Sequence, residues 1–191
     1  MPERVLLLTG FGAFPGVADN PTARVAQSLH GLPIAGWRVH GAVLPVAWER
    51  ARAEVAGLVA AHAPVCIVHL GVATDATVVR IESQGANHLQ FRVADVDGAQ
   101  PQAGEVEPAA PATLSTPVAV ARLVAHLQQL GVGVERSENA GRYVCNATYF
   151  SSLHAYPDRR VLFVHLPPVS AAWPLARLTD AIARILEFLS A

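Results

Sequence analysis

The chain is poor in the residues that several protein classes depend on. It holds only two cysteines, Cys66 and Cys145, in 191 residues. Two are too few for a disulfide framework, so both read as free thiols of a reducing compartment. Charged residues make up 15% of the chain, and the formal net charge is -1. There is no block of basic residues and no RNP, zinc-finger or helix-turn-helix signature, so nucleic acid is not an expected partner. No apolar run reaches the ~18 residues that suggest a membrane span. Neither H-E-x-x-H nor C-x-x-C occurs, so any metal site would have to be assembled by the fold. The glycines of "GFGAFPG" fall at Gly10, Gly12 and Gly16, with Phe14 and Pro15 between them. That is not the G-x-G-x-x-G spacing, and no Walker A lysine follows, which counts against a nucleotide-dependent oxidoreductase. The start, "MPERVLLLTGFGAF", is too short and too glycine-rich for a secretory leader, and the cytoplasm is the expected location.

What is present is apolar sequence, 52% of the chain, arranged in a regular rhythm. The length suits one domain with a single substantial core. Short apolar runs at 4–10, 37–46, 65–71 and 160–167 read as buried strands, with an irregularity at Gly41 in the second. A shorter strand is expected at 132–138. Amphipathic stretches at 20–31, 47–62, 117–131, 143–156 and 173–191 read as helices. Asn20 serves as N-cap of the first, with Pro21 at its first position and Gly31 as its stop. Residues 78–82 and 88–93 look like two strands of a ribbon. The charge-poor 94–116 stretch, rich in Ala, Gly, Pro, Ser and Thr, predicts a long loop that covers a site. Crossover helices between apolar strands predict a three-layer α/β/α fold. It is a single domain over 1–191 with a mostly parallel, open twisted sheet.

In such sheets, ligands bind beyond the carboxyl ends of the strands. Cys145, in "AGRYVCNATYF", is either a small core residue or a thiol in the first turn of a helix. In the second case the helix terminus stabilises a thiolate, and backbone N–H groups offer an oxyanion site. His165 ends the apolar run "VLFVH". It is a candidate base, or a half-buried side chain bonded to a loop carbonyl. His69 sits similarly, one strand earlier. Glu82, among apolar strand residues, is the best carboxylate to orient a base; its other reading is a salt bridge with Arg80 or Arg92. Phe11 and Phe14 suit an apolar pocket wall, or the packing of a helix on the sheet. Cys66, inside "VCIVHL", reads as packing.

Four blocks together resemble the pyroglutamyl-peptidase I, or pyrrolidone-carboxylate peptidase, family of cysteine peptidases. "LLLTGFGAFPGVADNPT" is similar to the T-G-F-x-P-F-G…N-P opening of that family. "LGVATDATVVRIESQGAN" matches its G-x-A-x…I-x-x-E-x-x-A-x-N spacing, with Glu82 and Asn87 in place. "SENAGRYVCNATY" is similar to S-x-x-A-G-T-F-V-C-N-x-x-x-Y, and "VLFVHLPPV" resembles F-I-H-V-P. The resemblance implies a catalytic triad of Glu82, Cys145 and His165. It implies a lactam pocket lined by Phe11, Phe14 and Tyr143, with Asn20 and Arg92 also in the binding site. It further implies cleavage of pyroglutamate from peptide N-termini, no metal or organic cofactor, and a homodimer or homotetramer; the Ala/Leu-rich final helix is a candidate contact face. Rival readings are a thiol amidase acting on cyclic amides and a non-catalytic peptide- or metabolite-binding module. The chain departs from the family pattern at several points. Val72 stands for Gln, Ala76 for Arg, Arg142 for Thr and Tyr143 for Phe. Ser83, Gln84 and Gly85 replace Arg-Val-Ala, and the interval from Cys145 to His165 is short.

Overall fold

A computed structural model describes residues 4–190. Along the chain run β1 (Arg4–Phe11), α1 (Pro21–Leu29), β2 (Pro33–Ile34), β3 (Trp37–Leu44), α2 (Trp48–His62), β4 (Cys66–Val72) and β5 (Val79–Glu82). They are followed by β6 (Gln84–Ala86), β7 (Thr113–Ser115), α3 (Val120–Gln129), β8 (Val134–Ser137), α4 (Val144–Ala155), β9 (Arg160–Leu166) and α5 (Leu175–Ser190). Seven strands make one open sheet in the order β2-β3-β1-β4-β9-β5-β8. From β3 to β9 the neighbours are parallel. β5 enters antiparallel to β9 and then pairs parallel with β8. The sheet is therefore mixed, mostly parallel and not closed, with helices on both faces, as the sequence rhythm predicts.

Side chains alternate across each strand, so each strand feeds two cores. Leu6, Leu8, Val68, Leu70, Leu162 and Val164 pack with α1, α3 and α5. Leu7, Phe11, Ile67, Val161 and Phe163 pack with α2 and α4 on the other face. Asn20 caps α1 as expected, accepting the Thr22 N–H at 3.1 Å.

Four expectations need correction. Gly41 marks no irregularity, since β3 pairs with β1 continuously through it. Its role is close approach: an added Cβ would lie 2.0 Å from the Ala26 carbonyl oxygen of α1. Residues 88–93 form no strand; only Leu89 makes an isolated bridge, to Gly104. The ribbon forms instead between β6 and β7, and β7 lies inside the stretch read as a loop. Finally, the apolar side of α5 is not free as a contact face. Leu178, Ile182, Ile185, Leu186 and Leu189 are consumed by the core. No helix among the described residues is long and apolar enough to cross a membrane.

Candidate active site

Strand alternation decides which polar residues lie under α4. In β9, Leu162, Val164 and Leu166 point to the α1/α3/α5 core, which leaves His165 on the α4 side. In β5, Val79 and Ile81 face that same first core, so Glu82 also turns toward α4. In β4 the same rule places His69 and Gly71 beneath the helix, while Cys66 faces the other way. Burial pushes the Cys66 thiol up to about 12. It is an inert packing residue, as its sequence context predicts.

Cys145 is the second residue of α4, close to the expected helix start. Tyr143, at the N-cap, makes no side-chain capping bond. The first N–H groups of the helix therefore point outward without an intrahelical acceptor. The thiol lies over β4. A Cβ added to Gly71 would come 3.0 Å from Cys145 Sγ and 2.9 Å from the Phe163 ring. Gly71 is paired in register with His165, which brings the imidazole beside the sulfur. Asn146, next along the helix, clamps this end of α4. Its side chain accepts the Ala86 N–H at 2.9 Å and donates to the Ala86 oxygen at 2.8 Å.

His165 Nδ1 donates to Glu82 Oε1 at 2.8 Å. The Glu82 carboxylate is fully buried, and its second oxygen has no hydrogen-bond partner. Arg80, the alternative partner weighed from sequence, is engaged with Asp75 and Glu135 instead. Tyr149 of α4 donates its hydroxyl to the Glu82 backbone oxygen at 2.9 Å, tying β5 to the helix that carries the thiol. Burial alone would lower the His165 pKa. Hydrogen bonds to Cys145 and Glu82, together with their charges, outweigh burial and raise it to about 9. Near neutral pH the imidazole is therefore protonated where it sits between Cys145 and Glu82.

Cys145 and His165 open into a cavity of about 250 Å³. Phe11, Phe14, Asn20 and Tyr143 line it. Phe11 also belongs to the α2/α4 core, so its two sequence readings hold together. Asn20 spends its amide on the Gly12 oxygen and its carbonyl on Thr22, so it shapes the wall. Arg92 stands apart. It is exposed and lines a neighbouring depression with Tyr143. Val46 and Thr74, not singled out from sequence, also line the cavity. Val46 follows the carboxyl end of β3 and Thr74 that of β4, where the strand-end rule would have found both. Sequence reasoning also missed a buried chain beneath the site. His69 bonds Thr9 Oγ1 at 2.7 Å and Ser152 Oγ at 2.9 Å. Among the described residues no three His, Cys, Asp or Glu side chains converge as a metal site.

The pyroglutamyl peptidase family matches residues 4–174 of the chain. The chain belongs to that family. It is accordingly a cysteine hydrolase. Its sequence is 33% identical to the pyrrolidone-carboxylate peptidase of Gloeobacter violaceus, with 96% of each chain covered. It is 35% identical to the Deinococcus radiodurans pyrrolidone-carboxylate peptidase over 78% of this chain and 69% of that one. In structure it resembles the pyrrolidone carboxyl peptidase of Thermococcus litoralis, with a TM-score of 0.93 and 26% identity. That match covers 96% of this chain and 92% of the other.

Proposed function

We propose that this chain hydrolyses the amide bond after an N-terminal pyroglutamyl residue. Cys145 is the nucleophile, His165 the acid and base, and Glu82 the group that orients the imidazole. The observation that carries this reading is the line Glu82–His165–Cys145 opening on a cavity walled by Phe11, Phe14 and Tyr143.

Pyroglutamate presents a flat, neutral lactam. The aromatic walls take the ring, and a charged α-amine is excluded by the cost of desolvating it there. With Nδ1 held by Glu82, Nε2 faces the sulfur. Cys145 Sγ attacks the scissile carbonyl, and the N–H groups at the start of α4 receive the oxyanion. Collapse of that intermediate breaks the C–N bond, and the imidazolium gives its proton to the departing amine. His165 then takes a proton from water, which attacks the thioester and frees pyroglutamate and the thiol. The family resemblance implies a homodimer or homotetramer, and the free thiols Cys66 and Cys145 suit the cytoplasm.

Hydrolysis of a pyroglutamyl-naphthylamide reporter tests the reading. Wild type is expected to release the amine, and Cys145→Ser to lose at least ~10³-fold in kcat with its circular dichroism unchanged. Full activity in Cys145→Ser, or none in wild type, would overturn it.

A further inference from the structure

A second depression, of about 530 Å³, lies beside the Cys145 cavity. The two share Tyr143 as a common wall. The segment 139–143 divides them: Ala140 and Tyr143 face the thiol, while Asn139, Gly141 and Arg142 face the second depression. Two of its lining residues are arginines, Arg92 and Arg142.

Among the described residues no carboxylate answers their charges. Arg142 Nη1 donates to the neutral Gln90 amide oxygen at 2.9 Å. Neither guanidinium forms an ion pair with a carboxylate among the described residues. Two acids adjoining its lining residues in sequence are already occupied. Asp95, whose charge Tyr143 senses, accepts the N–H groups of Trp48, Asp97 and Ala99. Glu138 is paired with Arg136. A depression holding two guanidinium groups with no carboxylate partner among the described residues, in a chain of net charge -1, is built for an anion.

Its place says which anion. If the lactam fills the smaller apolar cavity, the scissile carbonyl sits at Cys145. The rest of the peptide then has to pass Tyr143 on its way to solvent. We propose that the second depression receives this leaving peptide. It selects substrates carrying a carboxylate within one or two residues of the scissile bond, recognised by Arg142 and Arg92. The inference rests on the pyroglutamyl-peptidase reading and adds a substrate class to it. Such a carboxylate is either the free C-terminus of a very short peptide or an Asp/Glu side chain.

The test compares three peptides at low salt. They are pyroglutamyl-Ala-Ala amide, the same peptide as a free acid, and pyroglutamyl-Glu-Ala amide. At least one carboxylate-bearing peptide is expected to exceed the neutral amide about fivefold in kcat/KM, mostly through KM. Whichever gains identifies the source of the carboxylate. The advantage should shrink as salt rises. It should fall toward one in Arg142→Gln, and further when Arg92→Gln is added. Equal rates for all three peptides in wild type would overturn the inference while leaving the peptidase reading intact. So would an advantage that survives both substitutions. Wild type that cleaves none of them, the neutral amide included, would overturn both. The salt and peptide comparisons in wild type stand even if the variants fold poorly.

Discussion

His165 is held charged in a place where burial alone would keep it neutral. Its partners raise its pKa to about 9, and Glu82 is one of them. The imidazolium is the proton source for the leaving amine, so activity should fall as pH rises through that value. Glu82→Gln keeps the shape of the pair but removes its charge. It is expected to cut kcat roughly 10²- to 10⁴-fold. It should also move the alkaline limb of the kcat/KM profile to lower pH, because a partner that favours the charged ring is gone. A full pH–rate profile of both proteins checks this. A limb that stays in place would mean that Glu82 acts on something other than the protonation of His165. The three residues themselves were legible in the sequence, each as a polar group at the edge of an apolar run. Arg92 was legible only as a motif match, and spacing alone does not say which of two adjoining depressions a side chain enters.

Among the elements, α4 and the strands beneath it set the distance between sulfur and imidazole. Gly71 lets the thiol descend onto β4, and a methyl group there meets both Cys145 Sγ and the Phe163 ring. Gly71→Ala is expected to lower kcat well beyond its effect on stability, because overpacking displaces the nucleophile. Steady-state kinetics beside a urea melt separates the two effects. Much of the element order was readable, since apolar runs, the Asn20 cap and glycine stops are local signals. Two things were not. The four residues of β5 carry no mark of their direction, which is set by the partners they find. The 88–93 segment does alternate, with Leu89 and Phe91 buried and Gln90 and Arg92 exposed. Yet its backbone N–H groups go to scattered acceptors at Gly104, Pro101 and Arg142 rather than to one strand. Periodicity reports which face is buried, not where the hydrogen bonds go.

Across the whole molecule, the chain Thr9–His69–Ser152 ties β1, β4 and α4 together inside the α2/α4 core. Burial lowers the His69 pKa to about 3. The unfolded chain therefore binds this proton more readily, and the stabilisation from His69 is complete above pH 6.5 and lost as pH falls toward about 3. His69→Gln should flatten that acid loss, as read by urea denaturation at neutral and mildly acidic pH. An unchanged slope would place the acid sensitivity elsewhere. No pattern in "VCIVHLG" announces this network, because its partners come from distant parts of the chain.

The antiparallel junction of β5 and β9 has a kinetic consequence. It pairs residues about eighty positions apart, with Arg80 opposite His165 and Glu82 opposite Phe163. Contacts so distant in sequence form slowly, after local helices and neighbouring strands. A slip of one residue there would turn Glu82 to the far side of the sheet. A refolding chain can thus regain most of its helix and strand content while its thiol still lacks an oriented base. Catalysis is then the last property to return.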